Sequence, residues 1–370
     1  MTKKDISQAK DEFDQTVEGT SLNKDAWKRL KKNKMAITGL YIIILYVIIS
    51  LCAPILPIYS YKKIILDHAH LPPSLTKTAG ELMIEKKTER YENLIDTWKK
   101  RDSEKARKNV QKYIKKRDAD LNGIKERVEN ETAMVDGKLT KIHQRRYILG
   151  TDYHGRDLLA RIIYGGQISM LIGFIGAITS VFIGVIVGSI AGYAGGKTDY
   201  LITRVIDVMY SLPYILLVII FMALFGQNIL NMFFAIAMVS WLNVARVVRG
   251  QIISLNNSEF VEAAKSIGAS TRRIIFKHMV PNTVGIIIVF ASLEFPAFIM
   301  TEAFLSFLGL GISAPYTSWG LLVREAIEGL AYYPGLLFFP AIAMTLFLFA
   351  MNFLGDGLRD AFDPQSKNRM

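Results

Sequence analysis

Four runs without a single charged residue, 36–57, 167–194, 212–226 and 335–354, constrain this chain more than any other feature of its sequence. A helix needs about 20 apolar residues to cross a bilayer core, where every backbone polar group must be satisfied inside the helix itself. Blocks of this length, separated by heavily charged stretches, predict an all-α integral membrane protein rather than a soluble core. Six transmembrane helices are expected, at 36–57, 167–194, 210–226, 228–246, 281–305 and 335–356. The Lys/Arg-rich lead from Lys28 to Lys34 could belong to a signal peptide. The polar lead is long, however, the first run is a full span, and Ala53-Pro54-Ile55-Leu56-Pro57 offers no small-x-small cleavage site, so an anchor is the better reading.

Six crossings place both termini on one side. The short-loop cations, namely the N-terminal cluster, Lys197, Arg204, Arg246, Arg249, Lys265 to Lys277 and Arg359, all fall on that side, which is therefore expected to be the cytoplasm. The segment 58–148 falls on the other side despite its many lysines and arginines, because long loops are translocated largely regardless of charge. Within it, Tyr91, Leu94, Ile95 and Trp98, then Val110, Ile114, Leu121, Ile124 and Val128, recur at helical spacing and predict a helical hairpin. Its mixed charges read as a solvated surface, and Asp136-Gly137 as a turn. The +12 net charge of the whole chain does not point to nucleic acid, because the basic residues flank apolar blocks instead of alternating with exposed aromatics. The sole cysteine, Cys52, excludes an intrachain disulfide.

Span two carries Gly176, Ser180, Gly184, Gly188 and Gly192 at four-residue spacing, a smooth face that lets a neighbouring helix approach closely. Pro213, Pro296 and Pro340 lie inside spans and predict kinks. Asp207 is expected to pair with Arg204 on its own helix. Between spans four and five, 251–280 is too polar to cross yet clearly patterned. Asn256 or Ser258 can cap a helix with an apolar face of Phe260, Ala263, Ala264 and Ile267, ended by Gly268. Ser270 or Thr271 can cap a second short helix that Pro281 closes. Such an amphipathic helix suits either a groove on another protein or the lipid headgroups.

Glu262-Ala263-Ala264, then Gly268 and Pro281, resembles the EAA loop of ABC importer permeases, with departures at His278 and Val280. Further motifs resemble the C-type subunit of the peptide and nickel permeases. They are Trp27-Lys28-Arg29-Leu30 with Asn33-Lys34, and Leu149-Gly150-Thr151-Asp152 with Gly155-Arg156-Asp157, Arg161 and Tyr164-Gly165. Ser306-Phe307-Leu308-Gly309-Leu310-Gly311 with Trp319-Gly320, and Asn352 through Asp360 with Asp363-Pro364, complete the set. The resemblance covers about 22–57 and 148–370, and 60–147 reads as an insert without counterpart in the typical member.

The resemblance implies a permease subunit of an ATP-driven importer for oligopeptides or dipeptides in a bacterial inner membrane. Alternatives are nickel or another small solute as cargo, or an ATPase-independent secondary transporter. Its partners would be a homologous second permease, two cytoplasmic ATPases that carry ATP and magnesium, an extracytoplasmic peptide-binding protein and the lipid bilayer. The implied organisation is a cytoplasmic segment 1–35, a first span 36–57, the extracytoplasmic insert 58–148, a permease core 149–356 with coupling loop 251–280, and a tail 357–370. Phe260, Glu262, Ala263, Ala264, Ile267, Gly268 and Pro281 would couple to the ATPases.

No catalytic residue, cofactor or metal is expected on this chain. Ala191 through Thr198 approaches a phosphate loop, but Ala191 replaces its first glycine and a span precedes it. His68, His70, His143 and His154 read as solvated, since no third metal ligand is marked. Glu294 and Glu302, with Pro296 between them, are candidates for a translocation path or gate, because charge at bilayer depth is costly. Pairing with a polar group of the second permease is the competing reading of both carboxylates.

Overall fold

The computed structural model describes residues 22–56, 58–101, 103–135 and 138–362. Pro57, Asp136-Gly137 and Asp363-Pro364 lie outside them. Two helices open the described chain, α1 (Leu22–Lys32) and α2 (Lys34–Leu51). The Asn33 side chain caps α2 by accepting from the Ala36 N–H at 3.2 Å. The first span therefore ends at Leu51 rather than at residue 57. Pro54 supplies no N–H and biases its predecessor away from the helical region, so 52–56 form turns.

The insert folds as α3 (Ala79–Lys99) and α4 (Glu104–Asn130), the expected hairpin, followed by a two-stranded antiparallel ribbon, β1 (Thr132–Val135) and β2 (Lys138–Lys141). A full capping box starts α3, with Thr78 and Glu81 each bonding the other's backbone N–H. Leu71, Leu82, Ile124 and Tyr147 form a small core at the hairpin's base.

The bundle follows with α5 (Leu158–Ala194), α6 (Gly196–Ser211), α7 (Tyr214–Phe225) and α8 (Ile229–Asn256). After it come α9 (Glu259–Ser266), α10 (Thr271–Arg273), a π segment Ile274–Met279 and α11 (Val280–Phe307). The last two are α12 (Trp319–Ala326) and α13 (Gly335–Phe362). The small-residue face of α5 seats on α8: a Cβ on Gly184 would stand 2.6 Å from Val244, and one on Gly192 would stand 2.9 Å from the Ile252 Cβ. Van der Waals fit replaces the hydrophobic effect as the force between such helices.

Among the described residues, five helices are long and apolar enough to cross a membrane. The expected third span, 210–226, differs. The helix wholly inside that stretch, α7, has 12 residues, about 18 Å at 1.5 Å per residue, too short to cross alone. α6 meets α7 at 85° across Leu212-Pro213, so a sixth crossing requires the bent pair. The proline ring breaks the helix at that point, whereas Pro296 and Pro340 remain inside continuous helices. Pro281 likewise does not close a loop. The π segment runs into α11, and the Asn282 side chain donates to the His278 carbonyl beside the proline.

Candidate functional site

The short helix α9 is built to be fixed on one side and open on the other. Val261 and Ala264 are buried in a cluster with Ile252, Ile274 and Met279, while Phe260 and Ile267 are 40% and 85% exposed. The sequence places Ala264 on one face with Phe260, Ala263 and Ile267, but the structure turns Ala264 inward and leaves the other three outward with Glu262. Gly268 has φ +75°. It closes a Schellman cap, its N–H bonding the Lys265 carbonyl while the Ala269 N–H bonds that of Ala264. Ser258 does not cap α9 through its side chain, because its hydroxyl donates to the Leu255 carbonyl at 2.6 Å.

The break at Leu212-Pro213 opens a cavity of about 500 Å³ whose polar lining includes Tyr210, Tyr214, Ser240, Asn243, Glu294 and Thr301. Glu294 lies near the middle of α11, bonds the Ser180 hydroxyl and has the Asn243 amide as a polar neighbour. Asp207, at the rim, pairs with Arg246 of α8 at 3.3 Å and not with Arg204, which stacks over the Tyr200 ring instead. Asn243 and Tyr214 are not singled out by the sequence, and Ser180 only as part of the smooth face of span two, although an asparagine in the apolar stretch of α8 is a usable signal.

Glu302 is fully buried and sealed. It accepts hydroxyl bonds from Ser318 at 2.6 Å, Ser306 at 2.7 Å and Ser169 at 3.1 Å. Each serine in turn accepts a backbone N–H, from Leu321, Ile312 and Trp319 respectively. The structure brings neither Glu302 nor the buried Pro296 to the cavity lining.

At the insert end, Asp152 accepts from Arg156 and Arg161 at 2.6 and 2.7 Å, and Arg161 reaches Glu325 at 2.6 Å. This buried cluster explains the 149–165 motif. Asp152 and both arginines lock the segment onto α12, and Gly155, at φ +71°, lets the chain press against the Ile65 carbonyl. Asp157 caps α5 by accepting from the Leu159 N–H, and burial pushes its carboxyl up to about 6.

His68 and His143 are buried, not solvated. Their rings bond each other at 2.9 Å, His68 also meets the Tyr147 hydroxyl, and His143 meets Glu131. With both rings neutral the chain runs one way, Tyr147 O–H to His68 Nδ1, His68 Nε2–H to His143 Nδ1, and His143 Nε2–H to the carboxylate. Burial, then the neighbouring His143 and Arg145, drive His68 down to about 3. His70 departs from an extended strand with φ +55° and stacks on Tyr333 at 3.9 Å. Asp67, Glu131 and His143 bring potential ligand atoms within 4.8 Å of one another, yet Arg127 occupies Asp67 at 2.6 Å. The stretch resembling a phosphate loop is the corner between α5 and α6, with Gly195 and Gly196 at positive φ.

Residues 184–368 match the family model described as the binding-protein-dependent transport system inner membrane component, and 21–73 match the N-terminal TM domain of oligopeptide transport permease C. The dipeptide transport system permease protein DppC of Bacillus subtilis is 36% identical over 363 residues, covering 97% of this chain and 92% of that protein. The oligopeptide transport system permease protein OppC of Haemophilus influenzae is 51% identical over 221 residues, 60% of this chain and 71% of its own length. A solved methionine ABC transporter, MetNI in an inward-facing conformation, aligns at a TM-score of 0.42 and 17% identity over 55% of this chain and 96% of the solved one. On these matches the chain belongs to the inner-membrane components of binding-protein-dependent transport systems, in the branch of the oligopeptide and dipeptide permease C proteins.

Proposed function

We propose that this chain is one of two permease subunits of an ATP-driven peptide importer, and that α9 is its contact with a partner ATPase. The exposed stripe Phe260, Ala263 and Ile267 carries this reading, since it is an unpartnered apolar face on a helix anchored from behind by Val261 and Ala264. The anchor continues through the π segment into α11, so force on α9 reaches the helix that holds Glu294. Full-length likeness to peptide permeases supports the cargo class. On this reading α9 and both termini face the bacterial cytoplasm and 58–148 faces outward. A binding protein delivers the peptide there, and ATP with magnesium is hydrolysed on the partner chains. Domain closure on those chains pushes α9 and alternates access to the path.

Gly268→Asp tests this. The position is exposed and a Cβ added there would meet nothing within 4 Å, so the penalty is confined to the backbone at φ +75°, about 1–2 kcal/mol, and the variant should still insert and fold. It places a charge at the proposed docking cleft. Uptake should fall by about tenfold or more, with loss of ATPase co-purification, as expected for an unpaired charge in an interface. Normal uptake by the variant overturns the coupling assignment.

A further inference from the structure

Among the described residues, Glu294 is the only charged one lining the cavity at the α6–α7 break, and its polar neighbours there, the hydrogen-bonded Ser180 and the Asn243 amide, are neutral. Ser180 has a single hydroxyl proton, yet it stands between the Glu294 carboxyl and the Ser240 carbonyl, the latter at 2.9 Å. One proton cannot serve two acceptors. Across the cavity the buried Tyr214 hydroxyl faces Thr301 without a hydrogen bond of normal geometry, and the Thr301 hydroxyl is committed to the Ala297 carbonyl. Arg246, which stacks over the ring of the cavity-lining Tyr210, is already matched by Asp207. The cavity thus offers one unmatched carboxylate and a surplus of acceptors at the middle of a spanning helix. A carboxylate at that depth is costly without a counter-charge.

We infer that this cavity is a transit site for the free α-ammonium group of a peptide, with Glu294 as its counter-charge. An ammonium brings one positive charge and three donors, which match the carboxylate, the Ser240 carbonyl and the lone pairs of the Tyr214 hydroxyl. The aromatic and aliphatic remainder of the lining, Tyr210, Leu212, Pro213 and Phe298, tolerates side chains of any kind. The chemistry selects a backbone terminus and not a sequence. This inference rests on the reading of the chain as a peptide permease.

The test uses the assembled complex with its binding protein in proteoliposomes, and labelled tri-alanine or its N-acetyl derivative as probes. Equilibrium binding of both probes to the complex without binding protein removes that protein's own selection. Glu294→Gln keeps an amide that can bond Ser180 and Asn243 but removes the charge. It should lower tri-alanine uptake and binding about tenfold, the scale of a lost charge-assisted hydrogen bond. Glu294→Asp should stay within about threefold of wild type, since the charge remains. The wild-type complex should bind the acetylated probe as weakly as Glu294→Gln binds the free one. Uptake by Glu294→Gln within about twofold of wild type overturns this inference alone. Loss of the second permease from both variants also overturns it, by making the carboxyl a subunit contact. Failure of the wild-type complex to move any peptide overturns it together with the cargo class.

Discussion

Glu294 and Glu302 lie eight residues apart on α11, yet their surroundings assign them opposite roles. Around Glu302, three hydroxyls from α5, α11 and the start of α12 converge, and every proton has one acceptor. The carboxylate is a structural knot that ties the insert end of the bundle together. Around Glu294, the helix break leaves a cavity and the donors run short. A buried charge therefore does not announce its role by depth. What separates the two is whether the protein alone completes the hydrogen bonding.

The largest expected effect breaks the knot. Glu302→Ala leaves three buried hydroxyls without their acceptor and empties a fully buried site, at a cost of about 3–5 kcal/mol. Thermal unfolding of the detergent-purified chain should show a lower midpoint, whereas Glu294→Ala, beside an existing cavity, should cost about 1 kcal/mol or less. Equal shifts for the two variants would erase the distinction.

Much of this arrangement was legible in the sequence, and what was not has a common cause. Apolar runs announced the spans, and the four-residue glycine spacing announced the face of α5 that meets α8. The period of α9 was equally clear, but Phe260 with Ala263 and Val261 with Ala264 are both valid three-residue pairs. Only the tertiary packing of Val261 against Ile252 and Ile274 decides which pair points inward. Asn243 and Glu294 line the cavity from two helices while Ser180 reaches Glu294 from a third, and His68 finds His143 from 75 residues away. Periodicity fixes which residues share a face, never which foreign face they meet. The break at Leu212-Pro213 is the reverse case, since its proline was visible while the 85° bend was not.

The comparison extends into the insert, where His68 sits in a chain as fully bonded as that of Glu302. Folded His68 titrates near 3, whereas an unfolded histidine titrates near 6.5, so the unfolded chain binds the extra proton between these values. Stability therefore falls as pH drops below about 6.5, by about 2 kcal/mol between pH 7 and pH 5 for this group alone. Asp157 works in the opposite direction. Its carboxyl, raised to about 6, favours the folded state as pH falls toward 4. The opening free energy at the hairpin base, obtained from hydrogen exchange after division by the intrinsic rate at each pH, should fall on acidification, more steeply in Asp157→Asn and less in His68→Gln. A pH-independent opening free energy in all three would place His68 in contact with solvent.

The smallest expected change acts between the two glutamates. A Cβ on Gly176 would stand 2.7 Å from the Phe298 ring, which lines the Glu294 cavity, whereas Gly166 meets Trp319 at the sealed end. Gly176→Ala should push Phe298 toward the empty space, which absorbs the displacement at a cost of about 1 kcal/mol, the low end of overpacking penalties. Gly166→Ala has no such space, because Trp319 is fully buried and its indole donates to the Ile162 carbonyl at 3.0 Å. Its cost should reach about 3 kcal/mol. A narrowed cavity should slow peptide uptake in Gly176→Ala several times more than its small loss of stability accounts for. Uptake that simply follows the melting temperature in both variants would mean that the space beside Glu294 is only a packing fault.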